Sequence, residues 1–217
     1  WSLGNEIGEQ HAPGGHEVLG ELVAIAHVLD PTRPVTTGND HIYADDGATT
    51  VEFMELLDIV GYNYVDRWHE RRELYATQDR YEHPDWKVIG TESSVVWGTR
   101  GEYVLPDDSM KVRPFYTDTM IRPGQLWKFV SMNDWFAGDF MWTGIDYLGE
   151  SPCHRKNSTS GELDLEGFPD DGYFFYQSQW TDEPMIQLFP HWNRGGREGQ
   201  FIPDIAYTNV HADEQYH

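Results

Sequence analysis

Apolar positions along this chain switch repeatedly between strand-like runs and helical spacing. Residues 1–4, WSLG, read as the last turn of a strand. In HEVLGELVAIAHVLDP, residues 16–31, Val18, Leu19, Leu22, Val23, Ile25, Ala26 and Leu29 fall at helical spacing. Asp30–Pro31 stops that helix, because proline pushes the residue before it out of the helical region. PVTTG, 34–38, is a short β-rich segment closed by Gly38. VEFMELL, 51–57, predicts a helical patch and DIVGYNY, 58–64, a strand. Residues 68–82 predict a charged helix, and KVIGTES, 87–93, another strand. Pro106, Pro114 and Pro123 then mark an irregular stretch with short helices at most. Helical spacing returns in GQLWKFVSMNDW, 124–135. A strand in GDFMWTG, 138–144, a polar Gly-rich loop over roughly 149–172 and a helix in GYFFYQSQW, 172–180, follow.

Strand and helix in alternation imply parallel strands joined by crossover helices, an α/β fold. Five strands are expected, ending near residues 4, 37, 62, 91 and 143. After Trp180 the character changes. PMIQLFPHWN and QFIPDIAYTN read as the first strands of an all-β module.

The charge balance narrows the partners. Fifteen basic against 37 acidic residues give a net charge of −22, a surface that repels nucleic acid and anionic membranes. The same surface suits a soluble, self-repelling protein, and acidic, Lys-poor surfaces also resemble those of salt-loving organisms. Nine Trp, twelve Tyr and ten Phe exceed what packing alone usually needs and suit a protein that holds ring-shaped ligands. Cys153 is the only cysteine, so no internal disulfide forms and the redox compartment is not indicated. No apolar run reaches the length of a membrane span.

In a closed barrel of eight parallel strands the active site forms where strand C-terminal ends meet the following loops. That rule reduces the acidic residues to Glu6, Asp40, Asp66, Glu92 and Asp146, each just past an expected strand. Two of them share a setting: Gly-Asn-Glu at 4–6 and Gly-Thr-Glu at 90–92. A carboxylate pair is what glycosidic hydrolysis requires, one protonated for the leaving oxygen and one ionised to attack or to activate water.

WSLGNE, GYNY, IGTES and GDFMWTGIDYLGE, in this order, resemble the second half of the catalytic barrel in glycoside hydrolase family 2. This is the family of β-galactosidases, β-glucuronidases and β-mannosidases. GELDLEGFPDDGYFFYQSQW also resembles its β-galactosidase-like branch. The resemblance implies a partial (β/α)8 TIM barrel, about strands 4 to 8, over residues 1–182. Residues 183–217 would then be a linker and the start of a β-sandwich. It implies retaining hydrolysis of terminal β-glycosidic bonds in a β-linked saccharide, most of all β-galactosides, with β-glucuronidase or β-mannosidase activity as alternatives. Glu6 matches the acid/base and Glu92 the nucleophile. Asn5 matches the neighbour that binds the sugar 2-hydroxyl, Tyr64 the tyrosine beside the nucleophile, and Trp142 the aromatic floor under the sugar.

Each of these residues has a structural alternative. Glu6 and Glu92 could be ordinary loop carboxylates, Asn5 a loop cap, Tyr64 a packing residue and Trp142 part of the core. The whole chain could also be a carbohydrate-binding relic without turnover. Asp146, Tyr147 and Glu150 read as loop-fixing, and His11 and His16 as surface residues. No cofactor is required on this reading and no metal-ligand spacing is present. Some family members bind Mg²⁺ through ligands upstream of the acid/base. Others have an asparagine near a sodium site where this chain has Ser160, so Mg²⁺ or Na⁺ stays open for a full-length enzyme. Arg100 and Arg155 are candidate partners for a uronate. A full-length form could be a homo-oligomer, and no compartment is indicated. Five strands cannot close a barrel, so three more are expected upstream and the 217-residue piece is expected to be inactive alone.

Overall fold

The computed structural model describes residues 1–40, 49–64, 78–93, 123–151, 156–189, 191, 193, 195–196, 198–199 and 205–210. The described chain divides into two compact units, parting between Trp142 and Thr143. The first is built on five strands: β1 (Ser2–Asn5), β2 (Thr36–Asn39), β3 (Val60–Asn63), β4 (Val88–Ser93) and β5 (Phe136–Met141). Their order in the sheet is their order in the chain, and every neighbouring pair is parallel. Between them come α1 (Gly15–Leu29), α2 (Val51–Met54), the short turn α3 (Arg80–Glu82) and α4 (Pro123–Met132).

Period-two alternation sends successive β3 side chains to opposite faces. Val60 and Tyr62 enter a core with Met54 of α2, Val88 of β4, Leu126 of α4 and Phe136 of β5. Gly61 and Asn63 are left on the other face. Tyr62 buries its ring but not at the expense of its hydroxyl, which donates to Asp79 Oδ2 at 2.8 Å. A second core joins Leu19 and Val23 of α1 to Val35 and Phe53, with Leu3, Ile7 and Ala26 packed against it.

Several boundaries differ from the sequence expectation, each for a reason visible in the tertiary contacts. Of the helical-spacing set on α1, Val18, Leu22, Ile25 and Leu29 are exposed, so only one of its two apolar stripes meets the sheet. α2 stops at Met54 rather than running on to Leu57. The backbone N–H groups of Asp58 and Ile59 both donate to the Val35 carbonyl, pulling the chain towards the sheet instead. β5 starts at Phe136, two residues early, because Phe136 is drawn into the core. It ends at Met141, since the N–H of Thr143 donates to the Ser160 carbonyl instead of continuing the ladder. Only the C-terminal end of the charged helix expected over 68–82 lies among the described residues, as α3. The irregular stretch around Pro106 and Pro114 lies outside them.

The second unit carries α5 (Asp171–Trp180) and an antiparallel pair, β6 (Ile186–Phe189) and β7 (Ile205–Thr208). Phe175 of α5 and Phe189 of β6 both pack on Tyr207 of β7, with ring centroids 5.5 and 4.9 Å apart. Among the described residues, no helix is long and apolar enough to cross a membrane.

Candidate functional site

Parallel strands that run in one direction bring their C-terminal ends to one edge of the sheet, and the candidate residues gather there. β1 ends at Asn5, and Glu6 then enters the left-handed region at φ 49°. Its N–H is still anchored, donating to the Gly38 carbonyl at 2.8 Å. Tyr64 repeats this after β3, with φ 54° and its N–H donated to the Glu92 carbonyl. A left-handed non-glycine residue costs on the order of 1 kcal/mol or more, and such strain collects where a side chain must point in one required direction.

Asn63, the last residue of β3, is 3% exposed and joins the first candidate pair. Its Nδ2 donates to Asn5 Oδ1 at 3.0 Å and to Glu6 Oε1 at 2.9 Å. Its Oδ1 accepts from Thr91 Oγ1 at 2.7 Å. Gly38, on the strand between β1 and β3, makes the room for this. A Cβ there would lie 2.4 Å from Asn5 Oδ1 and 2.9 Å from Asn63 Oδ1.

Tyr64, the next residue, holds the other glutamate: its hydroxyl donates to Glu92 Oε1. Glu92 is buried and pairs with Asn63 in the β3–β4 register. Two consecutive residues at one strand end therefore grip one glutamate each. Trp142 is half-buried just past β5, and its N–H donates at 2.8 Å to the carbonyl of Ser93, the residue after Glu92.

The remaining candidates sit elsewhere. Asp40 is buried, its N–H facing Gln10 Oε1 at 3.4 Å and its carbonyl accepting from Thr49. Asp66, Arg100, Cys153 and Arg155 lie outside the described residues. Asp146 fixes a loop, accepting from the Gly161 N–H at 2.8 Å and from Asn157 at 3.3 Å. Tyr147 donates to Glu150. Ser160 is buried, and His11 and His16 are exposed. Among the described residues, no group of three His, Cys, Asp or Glu side chains is arranged to hold a metal.

No family model matches the chain. It is 32% identical to Beta-galactosidase BoGH2A of Bacteroides ovatus, across 99% of this chain and 30% of that protein. It is 30% identical to a putative beta-glucuronidase of Formosa agariphila, across 99% of this chain and 22% of that protein. A solved beta-glycosidase from Bacteroides vulgatus superposes with a TM-score of 0.72 at 30% identity, over 96% of this chain and 29% of that one. A solved glycosyl hydrolase family 2 member from Bacteroides cellulosilyticus superposes with a TM-score of 0.63 at 27% identity, over 96% of this chain and 25% of that one. Over nearly its whole length the chain is similar to members of glycoside hydrolase family 2. It spans less than a third of the length of each of these proteins.

Sequence reasoning passed over three residues that organise the site: Asn63, Thr91 and Gly38. A search restricted to carboxylates past strand ends cannot find an amide. The available signal was a polar residue closing an otherwise apolar strand directly before Tyr64. It also passed over two buried carboxyls. Burial pushes Asp139 on β5 up to about 6. In the second unit, burial and then the charge of Asp170 push Glu162 up to about 8. Gly172 of α5 leaves space for Glu162, since a Cβ there would lie 2.4 Å from Glu162 Oε2.

Glu162 gives the protein a pH-dependent stability. Its folded value lies above its ordinary 4.5, so the folded state holds the proton more tightly than the unfolded state. The stabilisation is complete below about 4.5 and is lost as pH rises through about 8. Glu162→Gln in the full-length protein removes that dependence, raising stability at pH 9 by a few kcal/mol relative to wild type. Urea unfolding at pH 5 and pH 9 measures it, and an unchanged pH slope in the variant counts against this account.

Proposed function

We propose that the full-length protein containing this chain is a retaining exo-β-glycosidase acting on β-galactosides, with Glu6 as acid/base and Glu92 as nucleophile. One observation carries the reading: Asn63 and Tyr64, adjacent in the chain, hold Glu6 and Glu92 respectively. Holding both glutamates from adjacent residues supports the close approach a double displacement requires, in which the two carboxyls stand about 5 Å apart across one anomeric centre. A sheet order that never reverses supports a singly wound barrel, with β1 to β5 as about strands 4 to 8. The start of a β-sandwich over residues 183–217 belongs to the same proposal, as does a β-linked saccharide as the partner.

The chemistry divides between the two ends of the site. Glu92 attacks the anomeric carbon while Glu6 protonates the departing oxygen, leaving a glycosyl ester on Glu92. Tyr64 donates to the Glu92 carboxylate and so favours its ionised form before attack. Glu6, now ionised, takes a proton from water, and the hydroxide oxygen displaces Glu92 from the sugar. Asn5 binds the 2-hydroxyl, a contact that strengthens in the transition state and therefore accelerates the reaction rather than only binding substrate. Trp142 packs under the ring.

A 2-deoxy-2-fluoro β-galactoside with a dinitrophenolate leaving group tests this in the full-length protein. The fluorine slows both formation and hydrolysis of the ester, and the dinitrophenolate leaving group keeps formation the faster, so label accumulates on Glu92 and peptide mass mapping finds it there. Label on another residue, or turnover that inverts the anomeric centre by NMR, overturns the reading. β-Glucuronidase activity is the second reading, favoured by the Formosa relative's name. A uronate needs a cation, so kcat/KM for nitrophenyl β-glucuronide measured against the galactoside decides between them.

A further inference from the structure

We propose that Asn63, with its amide held in place by Thr91, is the positioning residue that decides which oxygen of Glu6 carries the acid proton. The inference rests on the acid role given to Glu6 above. The chain of donors runs one way. Thr91 Oγ1 donates to Asn63 Oδ1, and Asn63 Nδ2 spends its two hydrogens on Asn5 Oδ1 and Glu6 Oε1.

The reverse orientation of Asn63 fails on chemistry. It would set Oδ1 against the carbonyl oxygen of Asn5 and the carboxylate oxygen of Glu6, whereas the Thr91 hydroxyl, able to accept as well as donate, would meet an NH₂ group without loss. With Asn63 3% exposed, few water molecules can repair such mismatches, and a buried unpaired polar atom is costly. The oxygens of Asn5 and Glu6 therefore select the orientation of Asn63, and the Thr91 hydroxyl holds it by donating to Oδ1 at the other end.

Two consequences reach the reacting atoms. Glu6 Oε1 receives an N–H, and an O–H on the same oxygen would compete with it for space and lone pairs. The proton resides on Oε2, and a general acid is effective only when its proton points at the oxygen being released. Asn5 meets Asn63 with its carbonyl oxygen, so the N–H₂ end of Asn5 is presented to a sugar hydroxyl. Gly38 leaves the room in which Asn5 and Asn63 meet. Thr91 also immediately precedes Glu92 on β4, so one short segment carries the nucleophile and steers the acid.

The experiment compares kcat/KM of full-length variants on β-galactosides whose leaving groups run from dinitrophenol to simple alcohols. Asn63→Ala is expected to lose about 10- to 100-fold more on the alcohol leaving groups than on dinitrophenol, because only the former need the proton. Thr91→Val, which keeps the shape and removes the hydroxyl, is expected to steepen the dependence in the same direction by less, and Thr91→Ser to restore it. A loss equal across the series in both variants, or a normal slope in Thr91→Val, overturns the proposal. Thr91→Val decides the matter if Asn63→Ala does not fold. Glu6→Gln runs in parallel: if it too shows no leaving-group dependence, the acid assignment itself has failed. A steep Glu6→Gln with level Asn63 and Thr91 variants rejects only the positioning role.

Discussion

Glu92→Gly in the full-length protein lowers kcat for aryl β-galactosides by about 10⁴-fold or more, and azide restores turnover as an α-galactosyl azide. The loss is large because the variant removes the group that bonds to the anomeric carbon, and nucleophile deletions in covalent enzymes cost at least this much. Azide enters the space that the carboxylate leaves beside Tyr64 and attacks from the same side. One displacement then replaces two, so the product has inverted configuration. Product NMR reads the stereochemistry directly. A β-azide, or a variant that keeps more than about a tenth of wild-type kcat, would remove Glu92 from the nucleophile's place. Tyr64 adds an internal control. Its hydroxyl donates to Glu92, so Tyr64→Phe leaves the nucleophile present without its donor and loses far less activity than the glycine variant.

The parts of this arrangement legible in the sequence were those that repeat with a period or recur as a short motif. β3 announced itself because Val60 and Tyr62 alternate with Gly61 and Asn63, and the core of the first unit follows that alternation. α1 announced itself by helical spacing. Spacing alone could not say which of two apolar stripes is buried, because Leu19 and Val23 look no different from Leu22 and Ile25 until Val35 and Phe53 pack against one pair. Element ends were set by long-range backbone bonds. Asp58 and Ile59 turn to Val35, and Thr143 turns to Ser160, from partners far away in the chain.

The site divides in the same way. Glu6 and Glu92 stood out in the sequence because each sits in a Gly-x-Glu setting at the C-terminal end of an expected strand. The residues that set their geometry did not. Asn63 and Gly38 matter through neighbours on other strands, and such contacts depend on register, which has no one-dimensional signature. Glu162 is a further case. Nothing in GELDLEG distinguishes a buried carboxyl from its exposed neighbour Glu166, and only the fold puts Gly172 against the former.

Glu6→Gln in the full-length protein lowers kcat/KM by about 10²- to 10⁴-fold for lactose-like substrates and by far less for a dinitrophenyl galactoside. Glutamine keeps the shape and the contact with Asn63 but has no transferable proton. An alcohol cannot depart as an alkoxide at neutral pH, whereas dinitrophenolate leaves unaided, so the loss scales with the basicity of the leaving group. Deglycosylation responds separately. With no base to activate water, the glycosyl ester on Glu92 accumulates, and kcat for the activated substrate drops with a burst of dinitrophenolate. Glu6→Ala makes room for azide on the face opposite Glu92. An anion that needs no base intercepts the ester there and gives a β-azide, the opposite configuration from the Glu92→Gly product. The two variants thus label the two faces of one sugar. The same azide configuration from both would mean that Glu6 and Glu92 do not stand on opposite sides of the anomeric carbon, and the double displacement would have to be abandoned.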